Sequence, residues 1–308
     1  MRKLLAVSCA LAAACGGSAA FKDQARDAMP DSAGVAMGPQ QAQSSQSNAL
    51  TAEGSSRDVV GADPWYNATI AFAFSINAGT AWTLGAVSAV TATEPTSCTE
   101  NSCTWGPGSG GALDPNEYKL TVTQGANASF DWVLAARSKA SATAQFVTLI
   151  SGNAVPSGQR HRGSGTFTIN LDNARQISGH ATDQGSIDIT YGNLGPAHVQ
   201  ASFHNLISQD AQHAGDVGNA YYNYQQDIAG GGDMEIAWHD VTNEERDDIH
   251  SRWKADGSGR ADVMVVKPSS SGQLSSCWSA AASGFASVGL SVCAYADASF
   301  GANIDTPQ

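Results

Sequence analysis

The sequence has no apolar run long enough to cross a bilayer as a helix, which takes about 20 residues. Its most continuous apolar stretch near the start, Leu4 to Ala14, is too short. A second apolar stretch, over residues 66–92, is interrupted throughout by polar side chains. We therefore expect no membrane-spanning helix.

Charge is also scarce, and positive charge most of all. Charged residues make up 14% of the chain, against about 25% in an average soluble protein. Sixteen Lys and Arg face 28 Asp and Glu, for a formal net charge of −12. Nucleic acid and anionic lipid surfaces both attract basic faces, so the balance excludes them as electrostatic partners.

Familiar catalytic motifs are absent as well. No G-x-S-x-G nucleophile elbow occurs, and Gly108-Ser109-Gly110 and Gly163-Ser164-Gly165 lack its spacing. Neither a Walker A sequence nor a G-x-G-x-x-G after a strand is present. The motifs therefore identify no enzyme class and no cofactor.

What the chain does have is a secretory leader. Arg2 and Lys3 precede the apolar stretch, which ends in small residues and then Cys15. This order is typical of a lipoprotein signal over residues 1–14, with a lipid such as palmitate on Cys15. The alternative is an ordinary leader with a chance cysteine, since Ala12 stands where such leaders favour Leu. Cleavage would change the formal charge from −12 to −14 by removing the two cations.

The residue after Cys15 bears on location. Gly16 follows the cysteine, where an Asp would signal retention at the inner membrane in enteric bacteria. By analogy we expect an outer-membrane lipoprotein, anchored through its lipid and facing the periplasm or the outside.

Six cysteines are present, and two of them, Cys9 and Cys15, belong to the leader. An even number in an oxidising compartment favours disulfides, and four cysteines allow three pairings. Proximity favours two pairs, and the spacing is poor for the rival zinc site. The favoured pairs are Cys98 with Cys103 and Cys277 with Cys293.

Residues 15–60 predict a disordered tether. They are rich in Ala, Ser, Gln, Gly and Asp, and they contain no aromatic residue after Phe21. Such a segment buries too little apolar area to fold. As a flexible coil of about 45 residues it would reach roughly 35–40 Å, enough to hold a domain clear of a membrane.

Residues 61–308 predict one mainly β domain. Apolar residues at helical spacing predict a single helix over most of 66–92, which Pro95 follows. Alternation with period two then predicts about nine strands, around residues 118–122, 130–134, 146–150, 167–171, 187–191, 199–203, 222–224, 234–238 and 261–265. Short connections favour an antiparallel meander, and so many twisted strands favour curling into a half-barrel or barrel with the helix packed on it. Residues 275–300 predict a small C-terminal cap, stapled by its disulfide.

Several short segments also resemble a family. They are Pro95–Cys98, Cys103–Pro107, Gly163–Phe167, Trp253 followed by Asp256–Asp262, and Cys277-Trp278. Across roughly residues 65–300 the chain resembles exported lipoproteins of myxobacteria and their relatives, for which no activity is established. The resemblance supports lipoprotein status and the cysteine pairing, and it implies no mechanism.

The most metal-like cluster lies between residues 239 and 250. Its candidate ligands are His239, Glu244, Asp248 and His250. On a helix, Glu244, Asp247 and Asp248 would share a face, but neither H-E-x-x-H nor EF-hand spacing is present. The plainer interpretation is a solvated acidic turn between the Trp238 and Ala261 strands.

Three other segments each have a functional and a plainer interpretation. Asp256–Asp262 suggests a calcium loop, but Arg260 and Ala261 occupy unsuitable positions, which favours a glycine-rich hairpin. His198 and His204 would line a cavity or face water from one strand. Tyr221, Tyr222 and Tyr224 would form a ligand platform or, more simply, pack across strands.

Taken together, these features predict an envelope lipoprotein with a structural or binding role. A lipid-like ligand between the helix and the sheet is one specific form of that role. The alternative is a secreted hydrolase with a carboxylate or metal site near residues 239–250.

Overall fold

The computed structural model describes residues 19–31, 63–109, 113–141, 143–180, 182, 184–207, 214–281, 284–293 and 295–296. Cys15 and the predicted boundaries at 14 and 60 lie outside these residues, so they stay predictions. None of the helices in the described part is long and apolar enough to span a membrane.

Fourteen strands of the described chain form one antiparallel sheet in sequential order, and the sheet does not close. The predictions of about nine strands and of a barrel were therefore wrong, whereas the mainly β class is confirmed. The strands are β1 (Ser97–Cys98), β2 (Ser102–Gly108), β3 (Asn116–Gln124), β4 (Phe130–Ser138), β5 (Val147–Pro156), β6 (Gly163–Asn170), β7 (Ser186–Gly192), β8 (His198–Ile207), β9 (Val217–Gln226), β10 (Gly232–Asp240), β11 (Glu245–Trp253), β12 (Gly259–Lys267), β13 (Ser270–Ala281) and β14 (Gly284–Val288).

The predicted single helix is one of three α-helices that the described residues form. They are α1 (residues 19–28), α2 (Pro64–Thr91) and α3 (Leu171–Ala174). The predicted helix over 66–92 corresponds to α2. Residues 19–28, which the sequence places in an unordered tether, are helical because Phe21, Ala25 and Met29 recur every four residues and bury one face.

The chain divides into two compact units, residues 19–31 with 83–184 and residues 63–82 with 185–296. In the first unit, α1 packs on the sheet through Phe21, whose ring centroid lies 5.7 Å from that of Phe130. Arg26 of α1 donates from Nε to the carbonyl of Thr91 at 2.8 Å. A cation at the C-terminus of α2 satisfies its last carbonyls and complements the helix dipole.

In the second unit, the first turns of α2 lie on one face of the sheet. Tyr66 packs edge-on against Trp278, with ring centroids 5.9 Å apart. The Thr69 and Ser251 hydroxyls form a buried hydrogen bond of 2.7 Å. This face, the apolar face below, carries the buried residues Tyr222, Tyr224, Met234, Trp253, Ala261 and Trp278.

Two predicted features near the C-terminus are revised. The sequence predicts a C-terminal cap that begins at residue 275. In the structure, β13 and β14 continue the sheet through residue 288. The prediction of a solvated acidic turn between the Trp238 and Ala261 strands is also wrong, because residues 245–253 form a complete strand, β11. Polar residues occur on both faces of β11, so its alternation in the sequence is weak.

Both favoured disulfides are formed. Cys98 is joined to Cys103 and Cys277 to Cys293, with Cα–Cα distances of 4.1 and 5.7 Å. The first pair links β1 to β2. The second pair holds the segment after β14 against β13.

Candidate functional site

The second unit has a polar face, opposite the face that α2 contacts. Strand pairing places Asp233 of β10 opposite Gln225 of β9 and Arg252 of β11, and Glu235 opposite Asn223 and His250. Arg252 in turn lies opposite Arg260 of β12. Because side chains alternate along a strand, these residues share one surface.

A buried ionic cluster occupies one end of this face. The fully buried Asp262 carboxylate accepts hydrogen bonds from Arg260 Nη2 at 2.6 Å and from Arg252 Nη2 at 2.8 Å. Ser275 also donates to Asp262. A buried carboxylate needs such paired donors, because otherwise its desolvation is uncompensated.

The ionic cluster also holds the tail. Arg260 Nη1 donates to the carbonyl of Tyr295 at 3.2 Å, and Arg252 Nη2 donates to the carbonyl of Ala296 at 2.7 Å. The Arg252 guanidinium lies 5.2 Å from the centroid of the Tyr295 ring. Tyr295 and Ala296 are thus held against the polar face.

Beside the tail lies a shallow cavity of about 390 Å³ that is widely open to solvent. This volume falls within the range of small-molecule sites. Its lining combines amides, carboxylates, one cation and the Tyr295 ring. The lining residues are Gln225, Gln226, Asp227, Asp233, Arg252 and Tyr295, with Pro196, Ile228, Gly232 and Trp253. Burial raises the pKa of Tyr295, and the nearby Asp227 carboxylate adds to that effect.

A hydrogen bond connects the cavity to titratable groups further along the face. His250 Nε2 donates to Asp233 Oδ1 at 2.8 Å. This bond raises the pKa of His250, against the opposing effect of burial. Two residues earlier in β11, burial raises the pKa of Asp248 to about 7, with a further contribution from the Glu235 carboxylate.

The predicted metal ligands are only partly brought together. Asp248 and His250 share the polar face of β11, and His239 of β10 lies opposite Arg246. Glu244 lies in the exposed turn between the strands. In the part of the chain that the structure describes, no three His, Cys, Asp or Glu residues are arranged to hold a metal ion.

For the other three candidate segments, the structure agrees with the non-functional interpretation. Asp256–Asp262 forms the turn into β12, in which Gly257 N donates to the carbonyl of Lys254 at 2.8 Å. Tyr222 and Tyr224 are buried on the apolar face. His198 and His204 both lie on β8, and His204 pairs with Asp188 at 3.2 Å.

Sequence reasoning missed the cavity residues. Asp233 and Arg252 are separated by two residues from Glu235 and His250, polar residues of the same strands. This period-two spacing of polar residues was the available signal in the sequence. It was not recognised because β11 was not predicted to be a strand. Tyr295 is near these residues only because the tail folds back, which no local pattern records.

No known family matches the sequence, and comparisons with curated proteins and with solved structures find no similar protein. The functional conclusion therefore depends on the site alone.

Proposed function

We propose that the protein is an envelope-anchored lipoprotein with a binding role, and that it holds a neutral, hydroxyl-rich ligand of the carbohydrate class in the cavity beside Tyr295. The observation that carries this proposal is the lining of that cavity. It combines polar and apolar groups around a ligand-sized space.

The charges favour a neutral ligand. Asp227 and Asp233 line the cavity together with one cation, Arg252, which is already paired with Asp262. Asp233 in turn accepts a hydrogen bond from His250, so charges of both signs in the lining are already paired within the protein. The side-chain amides of Gln225 and Gln226 can each donate and accept, which suits hydroxyl groups.

The Tyr295 ring gives the cavity an apolar surface as well. An aromatic face combined with a few placed polar groups can hold the C–H face of a sugar ring while fixing its hydroxyls. This combination distinguishes the proposed ligand from a simple ion.

A lipid-like ligand between helix and sheet was the expectation from sequence. At the start of α2, however, Trp65 and Tyr66 pack against Ala261 and Trp278, and Thr69 bonds directly to Ser251. Side chains thus fill the contact at this position. The geometry of the second unit favours the cavity beside Tyr295 as the ligand site.

The location belongs to the same proposal. The leader over residues 1–14 and lipidation of Cys15 would place the protein at the outer membrane, as an exported protein with two disulfides. Expression with radiolabelled palmitate tests this part. We expect label in the wild type and none in Cys15→Ala, and equal labelling of the two proteins would contradict it.

Calorimetry tests the ligand. Detergent-solubilised full-length protein, in a detergent without sugars, is titrated with cellobiose, maltose, lactose and chitobiose. We expect at least one to bind, and Tyr295→Ala to weaken its Kd at least tenfold, by about 1.4 kcal/mol. Gln273→Ala, an exposed change on β13, is the matched control and should leave Kd unchanged. Absence of binding at millimolar sugar, or a Kd insensitive to Tyr295→Ala, would refute the cavity as the ligand site.

A further inference from the structure

The segment between the proposed lipid anchor and the folded chain is very short. Only Gly16, Gly17 and Ser18 separate Cys15 from α1, which begins at residue 19. Even fully extended, the chain from Cys15 to residue 19 spans at most about 14 Å. The flexible coil of about 45 residues that the sequence predicts would reach roughly 35–40 Å. The presence of α1 therefore removes most of the distance that such a tether would allow between the domain and the membrane.

Contacts along its whole length fix α1 to the first unit. Near its start, the Phe21 side chain is buried. Lys22 Nζ forms an ion pair with the Glu94 carboxylate at 3.0 Å. Just beyond its end, His161 Nδ1, in the turn between β5 and β6, donates to the carbonyl of Met29 at 2.8 Å. Because α1 is part of the folded unit, the position of its start fixes the distance between that unit and Cys15.

The start of α1 lies at one end of the strands of the first unit. Phe21 packs against Phe130, which is the first residue of β4. Strand pairing places three turns at this same end, residues 99–101, 125–129 and 157–162. The opposite end begins at Ser138, the last residue of β4. At about 3.4 Å per residue, Ser138 lies about 27 Å from Phe130. The two ends of the sheet can therefore be told apart by their distance from the anchor.

The turn between β5 and β6 places two exposed cations, Arg160 and Arg162, at the end near α1. Arg160 Nε lies 3.3 Å from the Asp27 carboxylate of α1, so the turn and the helix are in direct contact. Guanidinium groups bind phosphate oxygens well. Charges more than about 8–10 Å away are screened at physiological ionic strength, so the acidic balance of the whole chain has little effect on this contact. Arginines at this end can therefore contact the phosphates of lipid headgroups.

The length of the link can be compared with the thickness of the membrane surface. The headgroup layer on each side of a bilayer is about 5–8 Å thick. The acyl chains on a lipidated Cys15 would lie beneath this layer, which places the cysteine at the level of the headgroups. Less than about 10 Å then remains between the outer edge of the headgroups and the start of α1. This gap is too small for the first unit to stand clear of the membrane.

We propose that the first unit rests directly on the bilayer surface, with α1 and the turns at residues 99–101, 125–129 and 157–162 facing the lipid headgroups. This inference rests on the proposed function, since lipidation of Cys15 supplies the anchor. It assigns the membrane-facing surface of the first unit, and it places residues 139–141 on the side away from the bilayer. Residues 32–62 follow α1 in the chain, so they do not lengthen the link between the lipid and this unit.

Fluorescence quenching at single labelled sites tests the orientation. The lipidated full-length protein is reconstituted in vesicles of phosphatidylethanolamine and phosphatidylglycerol, and a bimane label is attached to Gln24→Cys, Gln159→Cys or Ala140→Cys. All three positions are exposed. Lipid with a nitroxide on its headgroup should quench the first two labels about twofold or more, because they lie within reach of the headgroups. The label at Ala140→Cys, beyond the far end of β4, should be unaffected.

A longer link provides the second arm of the test. A flexible insert of about 20 Gly and Ser residues between Ser18 and Ala19 adds roughly 25 Å of reach and should abolish the quenching. The same insert after Ser45 is the matched control, because it leaves the link to α1 unchanged, and quenching should persist.

Three results would overturn the inference and leave the proposed lipidation standing, provided that the protein carries palmitate. They are equal quenching at all three labels, no quenching at the two near positions, and quenching that survives the insert before Ala19. Absence of palmitate from the wild type would overturn both. Urea unfolding with a wild-type midpoint shows that each labelled variant folds.

Discussion

Asp63 shows how one residue can fix the start of a helix in space. Its Oδ1 accepts from the backbone N–H groups of Trp65 and Tyr66 at 2.8 and 3.1 Å, the N-cap geometry. Its Oδ2 accepts from the hydroxyls of Ser276 and Ser287, on β13 and β14. Four donors therefore satisfy a carboxylate that is 1% exposed.

Replacement of this residue should be costly. We expect Asp63→Ala to lower the free energy of unfolding by about 2–4 kcal/mol, because it removes the cap and leaves buried donors unpaired. Asp256→Ala is the control, since Asp256 accepts from Ser258 in an exposed turn, and it should cost under about 1 kcal/mol. Urea unfolding measures both, and similar losses would contradict the role of Asp63.

Asp248 is the opposite case, a buried carboxyl group whose Oδ1 lacks a partner in the described part of the chain. Burial raises its pKa from 3.8 to about 7, so the folded state keeps a proton that the unfolded state releases. Its contribution to stability is therefore complete below about pH 4 and is lost as pH rises to about 7.

Asp248→Asn should remove this dependence. Relative to the variant, the wild type should lose up to about 4 kcal/mol of unfolding free energy between pH 4 and pH 8. Denaturant unfolding at several pH values gives the two curves. Parallel curves over that interval would show that the raised pKa is absent.

At the scale of elements, the strands of the second unit are fitted together by paired glycine and tryptophan residues. Gly259 of β12 lies opposite Trp278 of β13, and Gly232 of β10 opposite Trp253 of β11. A Cβ at Gly259 would lie 2.5 Å from Cζ2 of Trp278 and closer still to the carbonyl oxygen of Arg252. The tryptophan rings thus cover the glycine backbone, as aromatic residues do beside strand glycines.

Gly259→Ala should therefore destabilise the protein by about 1–3 kcal/mol through overpacking. Gly272→Ala on β13 is the matched control, because a Cβ there meets nothing within 4 Å. Its effect should be small, since alanine loses less entropy than glycine on folding. A thermal melt of each variant measures the difference, and equal melting temperatures would refute the pairing.

Elements with a clear period could be predicted from sequence, and the others could not. The helix over 66–92 was predictable because apolar side chains recur along it and Asp63 and Pro64 mark its start. Strand β11 was missed because Asp247 and Asp248 interrupt the alternation on both faces. β13 was missed because Ser270–Ser276 has only one large apolar residue, Leu274, which is exposed.

At the scale of the molecule, the two disulfides have different consequences. The pair Cys277–Cys293 closes a separation of 16 residues and holds the tail that carries Tyr295 onto the cavity. The pair Cys98–Cys103 closes only five residues and lies in the first unit. Sequence proximity suggested both links, but the role of the tail in the candidate site depends on long-range contacts with Arg252 and Arg260.

Cys293→Ala should lower the free energy of unfolding by about 3 kcal/mol and also abolish sugar binding, because Tyr295 is released. Cys103→Ala should cost about 2 kcal/mol and leave binding intact. Urea unfolding and calorimetry on both variants separate the two effects. Retained sugar binding in Cys293→Ala would show that the tail does not form the cavity.

The hydrogen bonds of Asp63 have a consequence for the order of assembly. Strands that pair in sequential order can form hairpin by hairpin as the chain emerges, since each pairing closes a short loop. The bond from Ser287 to Asp63 spans 224 residues and needs the last hairpin. The last of the four donors to Asp63 is thus added only when synthesis has reached β14, so a chain truncated before that point keeps the local N-cap of α2 but lacks the bond that ties it to the last hairpin.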